Sequence, residues 1–100
     1  MVKLIKTEQE FNREIMNDKV VVDFFANWCG PCKMLAPIVE EVSNELEKIT
    51  FIKVDIDEIE SLPRQFDIMS IPTLLVFEKG ELIKRHTGYM DKDELVQFIK

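Results

Sequence analysis

Cys29 and Cys32 are the two cysteines of the chain, and Gly30 and Pro31 separate them. Two thiols at this spacing suit thiol-disulfide exchange, in which one sulfur attacks as a thiolate and the second displaces what the first has captured. Other uses of the spacing must be weighed. Half of a tetrahedral zinc site looks the same, but zinc asks for two further ligands, and the rest of the chain offers no cysteine and one histidine, His86. No metal and no organic cofactor is therefore expected. A pair of buried structural thiols and an inert disulfide also remain open. So short a loop would constrain little of the unfolded chain, and Trp28-Cys29-Gly30-Pro31-Cys32 reads as a loop-to-helix junction rather than a core face.

That junction has a chemical consequence. The first amides of a helix lack intrahelical acceptors, and with the aligned peptide dipoles they favour negative charge. A thiolate placed there is stabilised over a thiol, and its pKa falls from about 8.5 toward roughly 3.5 to 7.5. Cys32, one turn further in, faces the first sulfur. Gly30 permits close backbone approach, and Pro31 presets a helical φ at a position where its missing amide is not needed. Cys29 is thus the expected nucleophile and Cys32 the expected resolving thiol.

The elements that would hold this pair follow from periodicity. Val2 to Lys6 can form a short strand. Thr7 with Glu10 has capping-box spacing and opens a helix to about Asn17. Val20 to Ala26 is apolar on both faces apart from Asp23, which marks a central strand covered by helices on both sides. Beyond the cysteines, Leu35, Ile38, Val39, Val42, Leu46 and Ile49 recur at helical intervals, with Pro37 predicting a kink rather than a break. Phe51 to Asp55 is another strand. Asp57 with Glu60 predicts a capping box and a helix to about Phe66, with Pro63 near its first turn. Strands over 73–77 and 81–85 flank a Lys79-Gly80 turn, and Asp91 with Glu94 caps a last helix. The order β-α-β-α-β-α-β-β-α predicts an α/β fold over a single domain, residues 1–100. Its central mixed sheet is flanked by helices on both faces.

Composition excludes several function classes. The 46% hydrophobic and 32% charged fractions fit a globular chain with one core. A net charge of -6 repels a phosphate backbone, and the one basic run, Lys84-Arg85-His86, reads equally well as an exposed strand, so no nucleic acid is expected. No apolar run approaches membrane-spanning length and no leader precedes Thr7-Glu8-Gln9-Glu10, so the expected location is cytoplasmic and away from membranes.

The run Trp28-Cys29-Gly30-Pro31-Cys32-Lys33, preceded by Val22-Asp23-Phe24-Phe25-Ala26 and followed by Ala36-Pro37, resembles the thioredoxin family. So do Ile71-Pro72-Thr73, Gly80 and Gly88. The resemblance spans nearly the whole chain. It implies a thioredoxin-like fold and reduction of protein disulfides through a mixed disulfide, in a monomer. The implied partners are disulfide-containing client proteins and a thioredoxin reductase that restores the dithiol.

Read bare, Asp23 is either a polar break in its strand or a buried carboxylate whose raised pKa suits proton transfer. The resemblance implies the second, with Asp23 accepting the proton of Cys32 and Lys53 pairing with Asp23, although read bare the alternation of Phe51-Ile52-Lys53-Val54 fits an ordinary surface charge on a strand equally well. An X–Pro bond is trans in most folded proteins, whereas the resemblance implies a cis bond before Pro72. It also implies that Ile71 offers free backbone groups to an extended client. Trp28 is either a core aromatic or, by resemblance, a flat lid beside the reactive sulfur. Trp28, Ile71, Pro72 and Gly88 are the implied client-binding residues, with Ile59, Met69, Tyr89 and Met90 as a wider rim. The chain departs from the family pattern at Phe25, where tryptophan is frequent, at Met69-Ser70, at Pro63 and at Tyr89. A different class of function stays open: a non-catalytic module that uses the same fold as a subunit of a larger complex.

Overall fold

The apolar run around Asp23 takes the middle of the sheet. In the computed structural model, which describes residues 1–100, the order is β1 (Lys3–Leu4), α1 (Glu8–Glu14), β2 (Val20–Phe25), α2 (Gly30–Glu45), β3 (Thr50–Asp55), α3 (Ser61–Gln65), β4 (Thr73–Glu78), β5 (Glu81–Thr87) and α4 (Lys92–Ile99). The strands lie in the order β1-β3-β2-β4-β5. β1 and β2 run parallel to β3, β4 is antiparallel to β2, and β5 is antiparallel to β4. No helix is long and apolar enough to cross a membrane.

Side chains alternate across a strand, so β2 feeds two cores. Val20, Val22 and Phe24 pack with Phe11 of α1 and Leu62 of α3. Val21 joins the opposite cluster, with Leu35, Val39 and Val42 of α2 and Leu95 and Ile99 of α4. Asp23 falls in the Val21 register and therefore lies on the α2 side of the sheet.

The caps show where local rules hold and where they are overridden. Asp91 and Glu94 form the full reciprocal box. Thr7 forms half of one: its Oγ1 accepts from the Glu10 amide at 3.1 Å, but Glu10 accepts from the Lys6 amide rather than that of Thr7. The first helix stops at Glu14, and i→i−3 bonds from the amides of Met16 and Asn17 tighten its end short of the expected Asn17. The third helix starts at Ser61, not after Asp57. A start at Asp57 would put Pro63 in the helix interior, against the carbonyl of Ile59, whereas a start at Ser61 leaves it among amides that need no helical acceptor. The second helix continues through Pro37 as one element.

The positive φ at the second position of the hairpin turn favours glycine. Lys79 and Gly80 have φ of 51° and 88°, the pattern of a type I′ turn. Their amides donate to Asn17 and Ile15 at the end of α1, so close that a Cβ on Gly80 would stand 2.6 Å from the Met16 sulfur.

Candidate active site

Cys29 is the N-cap of α2, with extended φ and ψ of -91° and 113°. Gly30 and Pro31 supply the first two helical positions, Pro31 without an amide hydrogen, and the Cys32 amide at the third donates to Cys29 Sγ at 3.2 Å. A disulfide joins Cys29 and Cys32, with Cα atoms 5.3 Å apart. Both residues are almost fully buried.

The two sulfur-bearing residues border different spaces. Cys29 lines an outer cleft of about 390 Å³, between Trp28 on one side and Ile68, Met69 and Ile71 on the other, with Ile56 also in its wall. Cys32 lines an inner cavity of about 190 Å³ together with Asp23, Lys33, Ala36 and Lys53.

Trp28 is 69% exposed, which rules out the core-aromatic reading, and its indole Nε1 donates to Asp57 Oδ2 at 2.9 Å. That carboxylate, expected to cap α3, holds the tryptophan instead. The Ile71–Pro72 bond is cis, and the Ile71 carbonyl oxygen lies 3.8 Å from Cys29 Sγ. Pro72 is buried behind Ile71, and its carbonyl accepts from the Gly88 amide at 2.8 Å. Gly88, with φ of 108°, thereby supports the Pro72 turn. Of the wider rim, Met69 lines the cleft. Ile59 packs against the α1/α3 core, Met90 is buried in the α2/α4 core, and Tyr89 lies outside the cleft. Ile56 and Ile68 take those places. Their apolar character was the available signal, but sequence alone reads it as ordinary core.

Asp23 is 4% exposed and its Oδ1 has no hydrogen-bond partner. Burial pushes its carboxyl up to about 7, against the opposing pull of the Lys53 charge. Lys53 stands opposite Asp23 in the parallel β2–β3 register. The expected pairing does not take the form of an ion pair: Lys53 makes none, and its Nζ lies 5.7 Å from the centroid of the Phe25 ring.

The Thioredoxin family model matches residues 2–100. The chain belongs to the thioredoxin family. A thioredoxin of Mycoplasmoides gallisepticum is 46% identical over 84 residues, 84% of each chain. One of Chlamydia trachomatis is 42% identical over 99 residues, 99% of this chain and 96% of the relative. Among solved structures, a Plasmodium falciparum thioredoxin superposes with a TM-score of 0.92 at 41% identity, covering 98% of this chain and 96% of that one. Thioredoxin membership and the bonded Cys29–Cys32 pair make the protein a thiol-disulfide oxidoreductase acting on protein disulfides. In kind, the partners of such a thioredoxin are a reductase and disulfide-bearing substrates.

Proposed function

We propose that this protein works in the reducing direction, with Cys29 as nucleophile, Cys32 as resolving thiol and Asp23 as proton acceptor. The separation of the two cysteines between two spaces carries this reading. Cys29 borders the apolar cleft that a client can enter, and Cys32 lines a separate, smaller pocket together with a carboxylate.

In the dithiol form the Cys29 thiolate, held by the Cys32 amide, attacks one sulfur of a client disulfide. The client S–S bond breaks, its departing sulfur takes a proton, and a mixed disulfide links client to Cys29. Cys32 then gives its proton to the Asp23 carboxylate and attacks the Cys29 sulfur. The second client sulfur leaves as a thiolate, and two electrons have passed to the client. The backbone of Ile71 would pair with an extended client segment beside the sulfurs. A thioredoxin reductase would return the two electrons. The reading places a monomer, one domain over residues 1–100, in a reducing cytoplasm where the dithiol persists.

The test combines trapping with a potential. Cys32→Ser should accumulate client proteins on Cys29 as mixed disulfides, Cys29→Ser should trap none, and insulin reduction with a supplied reductase should be lost in both. A pair poised near -270 mV fits a reductant. A potential above about -180 mV would replace this role with that of an oxidase or isomerase. Full biological activity of a variant with both cysteines changed to serine would favour the non-catalytic module.

A further inference from the structure

Lys53 has two places to put its charge on the α2 side of the sheet. Asp23 is directly opposite on β2, and Phe25 is two residues further along the same strand, hence on the same face. The ammonium takes the second place, 5.7 Å from the ring centroid, within the range where a cation is attracted to an aromatic face. Phe25, Asn27 and Lys53 belong at once to the inner cavity with Asp23 and Cys32 and to an outer pocket of about 590 Å³. The ring and the ammonium together form the wall between the two.

We infer that Phe25 is a positioning residue: its ring holds the Lys53 ammonium out of ion-pair contact with Asp23 and so leaves the Asp23 carboxylate available for the Cys32 proton near neutral pH. This rests on the acceptor role given to Asp23 above. The physical reason is competition for one flexible cation. An opposite charge within about 4 to 6 Å of a carboxylate lowers its pKa by roughly 1 to 3, and a carboxylate so held would be a poor base for a thiol.

The charges around Asp23 make Lys53 the group that decides. From β3 it meets Lys53. From α2 it meets Cys32 and Lys33 across the cavity, with the neutral amide of Asn27 beside them. On β4 its register partner is the apolar Leu74. Beyond the Lys53 wall, the outer pocket holds Lys6, Asp55 and Glu58, and the two carboxylates are the alternative attractors for a released ammonium.

The experiment follows the Asp23 carboxyl by carbon NMR in the oxidised protein, where neither cysteine titrates. Phe25→Leu should lower the titration midpoint by about one pH unit as Lys53 turns to Asp23. Phe25→Tyr, which keeps an aromatic face, should leave it at the parent value. In a Lys53→Met background, adding Phe25→Leu should change nothing. An unmoved midpoint in Phe25→Leu, as when Lys53 turns outward to Asp55 or Glu58, overturns the inference. So does an equal fall with and without Lys53, which would mean that the ring acts by shielding Asp23 from water. The pH profile of mixed-disulfide resolution separates this from the parent reading. If the carboxyl moves and the profile does not follow, the hold of Phe25 on Lys53 stands and the acceptor role of Asp23 falls.

Discussion

Lys84 and Arg85 are neighbours in β5, and each closes the end of a different helix on a different face of the sheet. Lys84 pairs in register with Val76 of the α2/α4 core, and its Nζ donates to the Phe98 carbonyl of α4 at 2.9 Å. Arg85 pairs with Leu75 of the α1/α3 core, and its guanidinium donates to the carbonyls of Phe66 and Asp67 at the end of α3. The last carbonyls of a helix have no amide partner, and the negative end of the helix dipole favours a cation there. The basic run thus has a structural use, and the alternation of a strand divides it between two helices.

From that arrangement Lys84→Ala and Arg85→Ala should each lower stability by about 1 kcal/mol. In a chain of this size that is a fall of about 4–8 °C in Tm. The two helices lie on opposite faces and share no partner, so the double variant should show nearly the sum. Thermal denaturation of the oxidised protein measures all three. A double variant no worse than either single would refute independent closure.

Asp23 gives stability a pH dependence whose sign can be worked out. Its carboxyl titrates at about 7 in the folded protein, and the value for an ordinary carboxyl is 3.8. The folded state therefore binds this proton more tightly than the unfolded chain does. The resulting stabilisation is complete below about pH 3.8 and is lost as pH rises to about 7. The loss is at most about 4 kcal/mol, since each pH unit between the two values corresponds to about 1.4 kcal/mol. Asp23→Ala should remove most of the fall in stability between pH 4 and pH 8. Comparing each protein with itself across pH cancels the cavity left by the substitution. Denaturant titrations of oxidised parent and variant at both pH values are the measurement, and parallel curves would refute a buried carboxyl that takes up its proton on folding.

How much of this was legible in the sequence depends on the range of the interaction. The central strand, the start of the long helix after the cysteines, the Lys79-Gly80 turn and the Asp91 cap are local patterns and form where their residues place them, whereas that helix stops at Glu45, short of the Leu46 and Ile49 that continue its apolar period. Asp57 and Glu60 show the failure of a local rule, because Pro63 sets the start of α3 and Trp28 takes the Asp57 carboxylate from 29 residues away. In the site, the junction that makes Cys29 an N-cap could be read from six consecutive residues. The cis bond before Pro72 could be expected only from resemblance, since an isolated X–Pro bond favours trans. The lean of Lys53 toward Phe25, and the places of Ile56 and Ile68 in the cleft, depend on side-chain packing between elements, for which the chain carries no short-range signal.

The outer cleft has one anchored wall and one free wall, and they should respond differently to substitution. Trp28 is tied by its bond to Asp57, so Asp57→Ala should loosen the ring while Asp57→Asn, which keeps an acceptor, should largely preserve it. Met69 is 90% exposed and lines the same cleft, with three rotatable bonds and a polarisable sulfur that adapt to varied apolar shapes. Since so little of Met69 is buried, Met69→Lys should leave Tm unchanged. In a complex the same side chain would be covered by the client, and burying a methionine is worth about 1.5–3 kcal/mol. Catalytic efficiency toward clients with apolar residues beside the target cysteine should then fall by roughly ten- to a hundred-fold. The change should appear as a higher KM with kcat nearly constant, because Met69 touches the client and not the reacting sulfurs. Insulin and a peptide disulfide with charged flanks, assayed side by side, would show whether the loss follows apolar contact. An equal loss for both would assign Met69 to the active-site loop itself.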